Sequence, residues 1–421
     1  MTELELGGIP ASALANEYGT PLYVYDEEQI IETLKKFKSN FYSEKFATQI
    51  LYASKAFQTI ELIQLMAEYA IGLDVVSGGE LYTALQTTMP VEEIYFHGNN
   101  KSYAEIIEAI ESGVTHFIAD NEQEVALLAR ISEERKSPLQ LLLRLNVGIE
   151  AHTHEYILTT HVDSKFGLAY QSEAYQQAYT TIEKSEYLIF EGFHAHIGSQ
   201  IFEMDAWYAA LDRLFDYLLD FSSPLVINIG GGFGIAYTEN DQPLPIESVL
   251  ANLITYTEKQ VSQKNILLRK LMIEPGRSMI AQAGTTLYRI GFTKETPHKH
   301  YYFVDGGMTD NIRPALYQAE YTADIATKLT EPKKPNITVA GKMCESGDVL
   351  ISSIALPEAQ MGDILAIYAT GAYGYSMSSN YNRALRPAVV FVNEGQSRVV
   401  VRRQTYSDLL GGEVAYGNTN L

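Results

Sequence analysis

Between residues 48 and 275 the chain alternates short apolar runs with longer amphipathic segments, and this alternation fixes its fold class: repeated β-α units around a parallel sheet. The runs are TQILYAS (48–54), GLDVVS (72–77), EIYFHG (93–98), THFIAD (115–120), LQLLLRLNV (139–147), IFEGFHAHIG (189–198), LVINIGG (225–231) and LMIEPG (271–276). Helical patterns separate most of them, as at 60–70, 122–134 and 207–220. In the last of these Leu211, Leu214, Phe215 and Leu218 recur at i, i+3, i+4 and i+7. Eight such units in about 230 residues match a closed, eight-stranded β/α barrel of the TIM type. An open, doubly wound sheet is the runner-up, but its glycine fingerprint is absent after the first run.

Beyond Arg277 the texture changes. β-rich runs (TTLYRIGF, YYFVDGG, ITVAG, ILAIYAT, PAVVFVN, SRVVVRR) are separated by Gly, Pro, Asn and Asp turns, which reads as an all-β domain. Charge changes at the same place. Residues 1–276 hold 17 basic and 39 acidic residues, whereas 277–421 hold 14 and 13, so the boundary is set at 276/277. The overall net charge of −21 repels phosphate backbones and anionic lipid, which argues against nucleic-acid and membrane partners. No apolar run approaches the ~18 residues of a spanning helix. The N-terminus lacks the order of a secretory signal, and one cysteine, Cys344, cannot form an internal disulfide. A reducing, cytoplasmic setting is therefore expected.

In a barrel of this kind chemistry gathers where the strands end. The first run ends at Lys55, an amine that partial desolvation would prepare to form a Schiff base with an aldehyde; on residue type alone a lysine is more often a snorkelling surface group. The sixth carries His194 and His196, which alternation puts on one face inside the barrel. Metal binding is disfavoured for this pair, because His152, His154 and nearby carboxylates have no zinc-like spacing. Core packing, or stacking on a flat ring, is favoured. The seventh ends in Gly230, Gly231, Gly232, Phe233 and Gly234, a candidate anion nest, although tight turns use such runs too. The eighth ends in Glu274, Pro275, Gly276 and Arg277, a carboxylate and a guanidinium beside the nest. A lysine, a phosphate nest, a stacking imidazole and a carboxylate for a ring nitrogen together are the parts that hold pyridoxal 5'-phosphate.

The ordered motifs TPLYVYD (20–26), YASKA (52–56), GLDVVSGGEL (72–81), HTHEYI (152–157), DSKFGL (163–168), HAHIGSQI (194–201), GGGFG (230–234) and EPGR (274–277) continue as DGGM (305–308), RPALY (313–317), CESGD (344–348) and GAYGYSMSSNYN (371–382). Through them the chain resembles the barrel-fold, pyridoxal-phosphate-dependent amino-acid decarboxylases, in particular the diaminopimelate branch. The resemblance implies that Lys55 bonds the cofactor covalently and His196 stacks on its ring. It implies that Ser199, Gly230, Gly231, Gly232, Gly234 and Arg277, in the loops that include Pro275 and Gly276, surround the phosphate. Glu274 would pair with the ring nitrogen, and Tyr373 would reach phosphate or substrate. Arg277, Arg313, Tyr317 and Glu345 would bind the distal end of the substrate. The implied reaction is decarboxylation of meso-2,6-diaminoheptanedioate to L-lysine, the last step of lysine biosynthesis, with Cys344 or Lys55 as the proton donor. The family also implies a homodimer whose shared sites take in the Cys344-Glu345 segment, and residues 1–26 joining the β domain. The cofactor domain is then 27–276 and the β domain 277–421.

Two rival readings remain. A racemase of the same fold would need an opposing acid or base rather than paired grips for a second charged centre. A non-catalytic cofactor-binding protein would resemble the barrel alone, without Cys344, Glu345 and Tyr373.

Overall fold

The computed structural model describes residues 3–149 and 164–414. The HTHEYI stretch, with His152 and His154, lies outside the described residues. The chain divides into two compact units, one of residues 32–236 and 241–279, the other of 1–31, 237–240 and 280–421.

The first long strand, β1 (Leu22–Asp26), belongs to the second unit. The next eight are β2 (Ala47–Ala53), β3 (Gly72–Val75), β4 (Ile94–Phe96), β5 (His116–Ala119), β6 (Leu139–Arg144), β7 (Leu188–His194), β8 (Leu225–Asn228) and β9 (Leu268–Ile273). They close a parallel barrel in the order β8-β9-β2-β3-β4-β5-β6-β7, one strand for each of the eight apolar runs. Because both faces of a barrel strand are covered, the runs read as continuously apolar rather than alternating. Leu51, Tyr95, Ile118, Leu142, Val226 and Met272 form one buried cluster contributed by six different strands. Where β7 and β8 come closest, a Cβ on Gly192 would lie 2.0 Å from the Val226 carbonyl oxygen, so no side chain fits there.

Most barrel helices start on a side-chain cap. Thr59, Ser77, Ser102, Asn121 and Ser172 each accept the backbone N–H three residues on, worth about 1 kcal/mol apiece. Several strands end earlier than their apolar runs. LQLLLRLNV leaves the sheet after Arg144, and IFEGFHAHIG after His194. Past those points the backbone pairs with loops, as where Leu145 bridges Leu168. The residues beyond the strand ends thus form the rim of the barrel.

The other unit is an antiparallel-rich β assembly. Its further strands are β10 (Gly284–Glu295), β11 (His300–Val304), β12 (Ala323–Ile325), β13 (Lys333–Ala340), β14 (Val349–Pro357), β15 (Ile364–Ile367), β16 (Ala388–Asn393) and β17 (Gln396–Val401). The main path is β14-β13-β11-β10-β1-β16-β17, with β15 and β12 branching from β10. The N-terminal strand β1 is central, antiparallel to β10 and parallel to β16. Its Leu22 and Val24 join Leu287, Ala366, Val390 and Val392 in the core. Among the described residues no helix is long and apolar enough to cross a membrane.

Candidate active site

Two polar groups stand at the strand ends of the barrel. Lys55 sits in the single turn Ser54–Ala56 that follows β2, exposed among buried neighbours. The loop after β9 packs against this turn. Ala53 N–H donates to the Pro275 carbonyl at 3.1 Å, and a Cβ on Gly276 would come within 3.1 Å of the Ala53 and Ala56 methyl groups. Pro275 and Gly276 thus hold the two strand ends side by side. Arg277 opens the short helix that follows, and its Nη2 donates to Ser199 Oγ at 3.2 Å.

Glu274 is the centre of a buried cluster. His194 Nε2 lies 3.0 Å from its Oε2, and the Asn228 amide donates to Oε1 at 2.6 Å. His97 Nε2 lies 2.8 Å from Oε1 but off the line of a hydrogen bond, and 3.8 Å from Asp74 Oδ1. Burial pushes the Glu274 carboxyl up, but the His97 and His194 rings more than offset this and hold it well below the usual carboxylate range. Burial drives the His194 imidazole down to about 4. A neutral His194 donating from Nε2 to an ionised Glu274 satisfies both tendencies, and it leaves Nδ1 as an unpartnered acceptor. His97, His194 and Glu274 are also the one grouping among the described residues with the spacing of a metal site. It differs from the His194–His196 pair weighed from sequence, and each oxygen of its carboxylate already accepts an N–H donor.

His196 lies beyond the end of β7 rather than within it, and its Nδ1 accepts Gly231 N–H at 3.3 Å. Burial pushes its imidazole down to about 3, although part of the ring reaches the barrel surface. The glycine run has structural reasons of its own. A Cβ on Gly231 would meet the Glu274 carbonyl oxygen at 2.4 Å, and one on Gly230, at φ +70°, would meet the Ala195 oxygen at 2.7 Å. Moreover, the N–H groups of Gly230, Gly231 and Gly234 donate to Asn228 Oδ1, His196 Nδ1 and the Ile201 carbonyl. A cavity of about 360 Å³ opens beside His196 and Gly198, walled by Arg144, Asn146 and Phe166.

In the β unit, Arg313 and Tyr317 share one short helix but not one environment. Arg313 is 7% exposed, its guanidinium stacked 4.9 Å from the Tyr237 ring and bonded to the Tyr321 hydroxyl, whereas Tyr317 is 62% exposed. Four residues apart on one helix, the two therefore do not form one exposed face. Cys344 and Glu345 are exposed. Their loop is held by Asp348, whose carboxylate accepts Met343 N–H at 2.7 Å and Met308 N–H at 2.6 Å, and by Asn382, which accepts Cys344 N–H at 2.8 Å. Tyr373 is half-buried in a left-handed turn at φ +61°.

Several of these residues escaped the sequence reading. His97 is the next-to-last residue of the third apolar run, a position comparable to those of the residues singled out on the sixth and eighth. Asn228 stands inside LVINIGG, two residues before the glycines. Nothing in the spacing marks Tyr237 or Tyr321, which reach Arg313 only through the fold.

Residues 27–281 match the family described as pyridoxal-dependent decarboxylase, pyridoxal binding domain. The chain belongs to the pyridoxal-dependent decarboxylases. Within that family its relatives are diaminopimelate decarboxylases. It is 48% identical to the one from Halalkalibacterium halodurans over 97% of this chain and 94% of that one, and 47% identical to the one from Bacillus subtilis with the same coverages. A solved diaminopimelate decarboxylase from M. jannaschii in complex with L-lysine superposes with a TM-score of 0.92 at 33% identity, covering 98% of this chain and 96% of that one.

A buried imidazole held near 4 makes a prediction about the decarboxylase fold. Below the ordinary histidine value of 6.5 the unfolded chain binds a proton at His194 that the folded chain refuses, so stability falls as pH drops from 6.5 toward 4. The loss from this group is at most about 1.4 kcal/mol per pH unit. Urea unfolding of the apoprotein between pH 7 and pH 5 is expected to show a shallower pH slope for His194→Gln than for the unmodified protein.

Proposed function

We propose that the protein converts meso-2,6-diaminoheptanedioate to L-lysine and carbon dioxide, with pyridoxal 5'-phosphate bound at the carboxyl ends of the barrel strands. The observation that carries this reading is Glu274, a buried carboxylate kept as the anion by His194 and Asn228, on the loop that packs beside Lys55. The residues present fit the cofactor. Ser54 Oγ, Asp74 Oδ1 and His194 Nδ1 are buried and lack hydrogen-bond partners among the described residues. When bound, the cofactor supplies an aldehyde for an amine and an electron-withdrawing ring.

The chain's residues then divide the work. Lys55 holds the aldehyde, and His196 lies against the ring face. Ser199 and Arg277, already paired, bind the phosphate with the loop of Gly230, Gly231, Gly232 and Gly234, and Tyr373 reaches the same region. The Glu274 anion keeps a proton on the ring nitrogen. Arg313, its guanidinium fixed by Tyr237 and Tyr321, grips the distal carboxylate together with Arg277 and Tyr317, while Glu345 accepts from the distal ammonium. Cys344 or the Lys55 amine returns the proton to the carbon that loses carbon dioxide. This reading assigns 27–276 to the cofactor and 277–421 with 1–26 to completing the site. It takes the active unit as a cytoplasmic homodimer with Cys344 and Glu345 serving the Lys55 of the other subunit.

Supplied with pyridoxal phosphate, the protein is expected to release carbon dioxide from diaminopimelate far faster than from ornithine, arginine or lysine. Arg313→Met is expected to lower kcat/KM for diaminopimelate about 100-fold while changing residual ornithine turnover little, because ornithine has no distal carboxylate. Equal losses on both substrates would mean that Arg313 serves the fold rather than selectivity. For the shared site, inactive Lys55→Ala and inactive Glu345→Ala proteins are mixed so that subunits exchange. Recovery of about a quarter of the unmodified activity is expected, from heterodimers with one intact site. Demonstrated exchange without recovery would contradict the shared site.

A further inference from the structure

His97 takes no part in the roles assigned above, yet it is buried at the end of β4 between two carboxylates. Its Nε2 stands 2.8 Å from Glu274 Oε1 and 3.8 Å from Asp74 Oδ1, and its ring packs edge-on to His194 at 5.0 Å. The backbone fixes this position, since His97 N–H donates to the Val75 carbonyl at 2.8 Å. A nitrogen facing two carboxylates must carry its hydrogen, so the ring presents Nε2–H to both. The off-line approach to Glu274 is what a donor aimed between two acceptors would make. Asp74 Oδ1 has no hydrogen-bond partner among the described residues.

We propose that His97 is a positioning residue for the decarboxylation: by bridging Asp74 and Glu274 it keeps Glu274 ionised and aimed, so that one lone pair of Glu274 Oε2 stays available to the cofactor's ring nitrogen. The inference rests on the cofactor reading given above. Donor counting supports it. Oε1 faces Asn228 and His97, whereas Oε2 receives only His194 among the described residues. Without His97 the two buried carboxylates lose the N–H that lies between them, and protonation of one of them becomes the more favourable arrangement. Burial and then the nearby Glu274 charge already push Asp74 up, and both imidazoles pull Glu274 down, His97 chiefly by charge and His194 by charge and hydrogen bonding. The other titratable groups in the same field are His194, Lys55, Arg144 and Glu80.

The test uses the full-length protein and the variants His97→Gln, His97→Asn and His97→Phe. A glutamine amide reaches the place of Nε2; asparagine is too short, and phenylalanine has no donor. Three quantities are read: the pH dependence of the bound cofactor's absorption spectrum, the acid limb of kcat, and the dissociation constant of pyridoxal phosphate from the apoprotein. The Gln variant is expected to keep the acid limb near that of the unmodified protein. In the Asn and Phe variants the limb is expected to move up by about one pH unit, with cofactor affinity reduced about tenfold, the equivalent of that shift. If the Phe variant fails to fold, the contrast between Gln and Asn decides. Borohydride reduction followed by peptide mapping separates the two claims. Label on Lys55 with all variants titrating like the unmodified protein overturns the role of His97 alone. No label on Lys55 in the unmodified protein overturns the cofactor reading and this inference with it.

Discussion

The site depends on one interaction, the ionised Glu274 carboxylate sealed inside the barrel. A buried anion is costly unless donors surround it, and removing one partner of such a group typically costs about 3–5 kcal/mol. Here the partners come from separate strand ends: His194 from β7 and Asn228 from β8 donate hydrogen bonds, and His97, just past β4, places its Nε2 2.8 Å from Oε1. Only a closed barrel brings those ends together around the residue that follows β9. The same Asn228 accepts Gly230 N–H, and Gly230 accepts Glu274 N–H at 2.8 Å, so the carboxylate and the glycine turn are one hydrogen-bonded unit. Disturbing either moves both.

That coupling changes what the glycines mean. From sequence they were read as an anion nest, but three of their N–H groups already have partners within the barrel. Their necessity comes first from close packing, since side chains at Gly230 and Gly231 would collide with the backbone at Ala195 and Glu274. On the proposed reading, the paired Ser199 and Arg277 would therefore carry much of the phosphate binding. In the β unit the organising carboxylate is Asp348. It gathers the segments bearing Met308 and Met343, and a Cβ on either Gly307 or Gly341 would lie within 2.5 Å of its oxygens. The DGGM and CESGD motifs are thus two sides of one local contact.

All eight barrel strands were legible in the sequence because strands covered on both faces leave long apolar runs, and helical patterns between most of them distinguish these from the runs beyond Arg277. Their ends were less legible. Arg144 and His194 terminate strands inside runs that stay apolar, because sheet pairing stops there while burial continues. Lys55, His196, Glu274 and Arg277 could be found because each lies within the last three residues of a run or follows it directly. His97 was equally placed and was passed over, since a single histidine in a strand is usually packing. Tyr237 and Tyr321 could not be found at all: 84 residues separate them, and only the fold sets their rings edge-to-face at 5.4 Å beside Arg313.

The account stands on the protonation state of that central cluster, which neutron diffraction from deuterium-exchanged crystals reads directly. It predicts no deuteron on either Glu274 oxygen, a deuteron on His194 Nε2 directed at Oε2, and none on His194 Nδ1. A deuteron on Glu274 would contradict it, because a neutral carboxyl at this position could not hold a proton on a cofactor nitrogen.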